Sequence, residues 1–97
     1  MASLTLRSPT EDDWRLVREI VGRHEAERPA GISRVDFTFS EDWAGNPAVY
    51  IDLIADKDIE QTSNKARELN DFAKRIHDDI IDSRLEFWPY SRTFVGR

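Results

Sequence analysis

Cysteine is absent from the 97-residue chain, which removes disulfides, thiolate zinc sites, iron–sulfur clusters and cysteine nucleophiles together. Glycine and proline occur four times each, too few and too scattered for a phosphate-cradling glycine loop or a low-complexity tract. No window approaches the roughly 20 apolar residues of a membrane span, and residues 1–10 lack the basic and apolar runs of a secretory signal. The expected location is the cytoplasm, away from the membrane. Positive charge is also in short supply: 14 Lys and Arg face 19 Asp and Glu, a net charge of −5. A basic face supplies most non-specific affinity for nucleic acid, so nucleic-acid binding is not expected.

What is present describes one small soluble domain spanning 1–97, with 39% apolar and 34% charged residues. The acidic excess is localised. Segment 1–32 has five basic and six acidic residues, 33–60 has two and seven, and 61–97 has seven and six. The middle segment therefore accounts for the whole net charge, and any electrostatic partner should meet it there.

Residues 1–7, with Leu4 and Leu6 alternating, read as an arm or short strand. Ser8 as N-cap, Pro9 in the first turn and Glu11 as the capping-box acid predict a helix over 8–28. Its apolar stripe is Trp14, Val17, Ile20, Val21 and His24. Val35, Phe37 and Phe39 alternate with polar residues, as do Val49, Ile51 and Leu53 with their neighbours, and the turn formers between them predict an antiparallel hairpin over 33–55. Ile59, Thr62, Ala66, Leu69, Phe72, Ile76 and Ile80 advance in steps of three and four, predicting a long helix over 58–82 capped by Asp56 or Asp58. Residues 84–95 read as a third strand that is either an edge or bends at Pro89 before continuing through Thr93, Phe94 and Val95. The expectation is an α+β fold of order α-β-β-α-β, a mainly antiparallel three-stranded sheet with both helices on one face. Strand three beside strand one would make the sheet antiparallel throughout.

Catalytic signatures are sparse, and no catalytic, metal or cofactor site is expected. Carboxylates at Asp52, Asp56, Asp58 and Glu60 converge on a strand end, as magnesium sites require. Gly31-Ile32-Ser33 and Asp52-Leu53-Ile54 look like the two halves of a nucleotidyltransferase motif, but Ile54 stands where the second acid belongs. Phosphoryl or nucleotidyl transfer centred on Asp52 is thus the alternative function. His24 and His77 form no His-Glu-x-x-His pair. Arg84, Arg92 and Arg97 form a basic tail, with Lys65, Lys74 and Arg75 on the long helix; a weaker reading is a homodimeric nucleic-acid module using Arg84, Arg92 and that helix.

Aromatics give the leading reading. Strand alternation sends Tyr50 and Trp88 away from the face that takes Ile51 and Phe87, and exposed Trp and Tyr beside acids suit a protein interface. The expected function is a small acidic non-enzymatic interaction module, antitoxin-like in its logic as regulator or inhibitor. Its binding residues are Asp36, Glu41, Asp42, Trp43, Tyr50, Asp52, Asp56, Trp88 and Tyr90. Its partner is another protein with a basic surface, and a second copy of the chain is a further expected partner.

Overall fold

A computed structural model of the chain describes residues 8–96; the 1–7 arm lies outside them. The elements run α1 (Glu11–Glu25), β1 (Ile32–Glu41), β2 (Pro47–Ala55), α2 (Ser63–Asp82) and β3 (Trp88–Val95), an α+β domain with the expected order.

Both helix starts differ from the sequence reading, for the same physical reason. Thr10, not Ser8, caps α1: its hydroxyl accepts from Asp13 N, and the Asp13 carboxylate accepts from Thr10 N at 2.9 Å. Pro9, which has no N–H to donate, is left outside the helix. Thr62, not Asp56 or Asp58, caps α2 by accepting from Lys65 N. Ile59 keeps the helical phase of the stripe yet lies in a turn closed by its own N–H to Asp56 O. That turn abuts Gly31, whose φ is +93 and whose added Cβ would stand 2.7 Å from Ile59 Cγ1. Only glycine fits there.

The sheet order is β1-β2-β3, so strand three lies beside strand two and not beside strand one. β1 and β2 are antiparallel, β2 and β3 parallel; the sheet is mixed rather than mainly antiparallel. Burial explains the choice. All of Val49, Ile51, Leu53 and Ala55 on one face and Ala48, Asp52 and Ile54 on the other are buried, a near-continuous run that suits a central strand with neighbours on both sides. α2 then serves as the crossover of a β-α-β unit.

Both helices cover one face. Val17, Ile20 and Val21 of α1 and Phe72, Ala73, Ile76 and Ile80 of α2 form one core with Val35, Val49, Ile51, Leu53 and Phe87. Trp14 packs against Phe37 and Phe39 at centroid distances of 5.0 and 5.1 Å, and Phe39 against Phe87 at 4.8 Å. The helices are tied together by His24 Nε2 and Asp79 Oδ2 at 2.5 Å. β3 starts later than expected, at Trp88, because Arg84 takes a positive φ of 64 after α2 and Phe87 drops into the core from the linker.

Candidate functional site

The face of the sheet away from the helices is organised in four rows read across β1, β2 and β3: Ser40, Ala48, Trp88; Thr38, Tyr50, Tyr90; Asp36, Asp52, Arg92; and Arg34, Ile54, Phe94. Period-two alternation puts these side chains together.

Asp36 and Asp52 stand opposite one another, a like-charge pair that destabilises a sheet by itself. Each is answered by an arginine. Arg34 Nε donates to Asp36 Oδ2 at 3.1 Å. Arg92 donates from Nε and Nη2 to the two oxygens of Asp52, at 2.8 and 3.1 Å. Asp52 is only 7% exposed, and a bidentate charge-assisted pair is the geometry that makes such burial tolerable. The Asp52 carboxylate in turn raises Arg92 above its already high ordinary pKa. The Arg92 guanidinium lies 4.4 Å from the Tyr50 ring and 5.3 Å from the Phe94 ring, within cation–π range of both. The four charges of these two neighbouring rows are therefore neutral in sum, and aromatic surface dominates around them.

One end of this face is the hairpin loop, and Asp42 organises it. Asp42 Oδ1 accepts from the backbone N–H groups of Ala44 and Asn46, both at 2.9 Å, and Gly45 supplies the positive φ of +82 that the turn needs. Asp42 Oδ2 accepts from the Tyr90 hydroxyl at 3.0 Å. These donors, the Asn46 N–H foremost, hold the Asp42 carboxyl below the usual carboxylate range, while Asp42 pushes the Tyr90 phenol up. Tyr90 stacks on Tyr50 at 5.5 Å, and the Tyr50 hydroxyl donates to Glu41 O. The loop is thus moored to β2 and β3, and from its tip Trp43 projects with 94% of its surface exposed. Trp88, 56% exposed, lies on the same face.

Of the residues expected to bind a partner, Asp36, Tyr50, Asp52, Trp88 and Tyr90 share the open face, and Glu41, Asp42 and Trp43 form its hairpin rim. Asp56 follows β2 at the opposite end. Arg92 and Phe94 were missed as face residues. The alternation Trp88, Tyr90, Arg92, Phe94 carried the signal, but Arg92 reads as a free tail charge until β3 is known to lie beside Asp52.

Among the described residues no group of three or more His, Asp or Glu side chains could hold a metal ion. Both oxygens of Asp52 are engaged by Arg92, which gives the nucleotidyl-transfer alternative no support. No helix among the described residues is long and apolar enough to cross a membrane. Neither a protein-family model, nor a curated protein, nor a solved structure matches this chain.

Proposed function

We propose that the protein is a small, acidic, non-enzymatic interaction module that regulates or inhibits another protein, antitoxin-like in its logic, by docking its open sheet face and hairpin on a basic surface of that partner in the cytoplasm. One observation carries the reading: a sheet face with its charges paired internally and its aromatics outward, beside a moored loop that presents Trp43. Trp, Tyr and Arg are the side chains that dominate binding energy at interfaces. A tryptophan on a pre-ordered loop binds without a large ordering cost. Glu41 and Asp42 flank Trp43 and add the negative rim that steers a basic surface toward it.

The experiment places a photocrosslinking amino acid at Trp43 or Trp88, and at Arg18 or Arg67 on the helical layer as controls. The expected result is capture of one protein from the sheet-face positions alone, with binding weakened at least about tenfold in Trp43→Ala and Trp88→Ala while circular dichroism is unchanged. Capture only from the helical positions, or full affinity in both tryptophan variants, refutes the reading.

A further inference from the structure

The sheet has two outer edges among the described residues, and they differ in kind. At the β1 edge, Val35 N donates to the Glu25 carboxylate at 3.0 Å, so residue 35 points its backbone outward, and by alternation residues 37 and 39 do as well. That edge is capped by Glu25 near one end and bordered by Glu41 and Asp42 at the other, devices that discourage strand pairing.

The β3 edge has none of them along its second half. Gly96 N donates inward to Ala55 O at 2.9 Å. With the unbroken parallel register to β2, residues 90, 92, 94 and 96 turn their backbone groups toward β2, and 89, 91, 93 and 95 turn theirs away. Pro89 occupies an outward position, as its missing N–H demands. What remains is a window of Ser91, Thr93 and Val95, with three outward N–H and three outward C=O groups. It is bounded by Pro89 on one side and by Gly96, at φ +76, on the other. The side chains in the window carry no charge, and the one cation between them, Arg92, is neutralised by Asp52. Between the window and the start of α2 lies a groove of about 380 Å³ of mixed character, lined by Ile59, Leu69 and Val95 together with polar residues that include Glu60 and Thr62; Val95 is 50% exposed.

We infer that the β3 edge is the dimer interface of this protein, its occupant a second copy paired antiparallel about Thr93. In that register Ser91 faces Val95 of the second copy, Thr93 faces its own equivalent, and Val95 faces Ser91. All outward donors and acceptors of the window are then satisfied on both chains, by six hydrogen bonds on the alternation of an antiparallel ladder. Centring the pair on Ser91 instead would set Thr93 against Pro89, which has no N–H to give. On the open face Arg92 comes opposite Phe94 of the second copy, extending the cation–π contact it makes within its own chain. On the helical face the cross-strand Thr93 pair is favourable, and the groove receives the second copy's side chains. At the β1 edge the Glu25 carboxylate already occupies the outward N–H of Val35, whereas the strand residues of the β3 window carry no charge of their own. The product is a continuous six-stranded sheet whose aromatic face is doubled and remains open, so the inference stands apart from the partner-binding reading. The contact is small, and its expected affinity is on the order of micromolar.

Sedimentation equilibrium across a range of concentrations, together with amide hydrogen exchange, tests it on the full chain. The expected result is a reversible monomer–dimer equilibrium in which the amides of Ser91, Thr93 and Val95 are protected at high concentration and lose protection on dilution. Thr93→Pro leaves every β2–β3 hydrogen bond intact, because the Thr93 N–H is not used within the chain. It removes two donors from the dimer and orphans their acceptors, which raises the dissociation constant at least about thirtyfold. Thr93→Lys, which sets like charges directly opposite, acts in the same direction, and Ser91→Ala, which keeps the backbone, dimerises normally. A full chain that is monomeric at all concentrations up to about a thousandfold above the micromolar expectation overturns the inference. So does a Thr93→Pro variant that dimerises as before, or protection of the Thr93 amide that persists in the monomer, since a segment of the same chain then covers the edge.

Discussion

Replacing Arg92 with methionine removes both charge-assisted bonds from Asp52 while keeping an unbranched side chain over Tyr50. The carboxylate stays where β2 holds it, 7% exposed. A buried charge deprived of its partner costs about 3–5 kcal/mol. The Arg92 side chain is 42% exposed, so water enters when the guanidinium leaves, and the expected loss falls to about 2–3 kcal/mol. In a domain of this size that lowers Tm by about 10–20 °C. Asp52→Asn combined with Arg92→Met removes the charge along with its partner, and the double variant should recover all but about 1 kcal/mol of the wild-type stability. Denaturant titration followed by circular dichroism at neutral pH measures all four corners of the cycle. A loss below about 0.5 kcal/mol in Arg92→Met, no larger than ordinary surface substitutions give, would refute the reasoning. A double variant no more stable than the single one would do the same.

Two further outcomes follow from the helical layer. Burial pushes His77 below its ordinary value of 6.5, a backbone hydrogen bond to Tyr90 and the charge of Asp78 only partly opposing it, and its Nε2 is buried without a partner. The unfolded chain then binds more protons than the folded one below about pH 6.5, so stability present at pH 7.5 declines as pH falls through the folded-state value. His77→Leu should flatten that slope between pH 7.5 and 5.5 in denaturant titrations, and parallel slopes for variant and parent would count against it. Trp14→Ala opens the cluster with Phe37 and Phe39; because Trp14 is 39% exposed, the expected loss is about 2–3 kcal/mol, below that of a fully buried tryptophan. A loss under about 1 kcal/mol, measured in the same way, would show that the cluster is not packed as described.

Element types and their order were legible because periodicity is a local property. Phe72, Ile76 and Ile80 mark a buried helical stripe and Val35, Phe37 and Phe39 a strand face without reference to anything distant. The helix starts were less legible because several residues compete for each cap. Ser8 and Thr10 are both good N-caps, and only the reciprocal bond from Asp13 selects Thr10. Strand order is not local at all, although apolar residues on both faces of β2 are the mark of a central strand. The site was half legible. Alternation assigns Tyr50 and Trp88, but the partners of Asp52 and Asp42 lie 40 and 48 residues away. Seven acids between 33 and 60 therefore read as one acidic surface, when two of them are answered by arginines.

The mooring of Asp42 to Tyr90 also has a consequence in time. β3 is the last of the five elements to leave the ribosome, and until it docks, the row of β2 backbone groups that it will pair is open and the loop carrying Trp43 lacks its tether to Tyr90. The nascent chain therefore passes through a stage in which an apolar central strand is an exposed edge, the condition that favours mispairing between neighbouring chains. On the proposed reading, recognition would be withheld through that same interval, since the open face and its moored loop are assembled by the strand that ends the vulnerability.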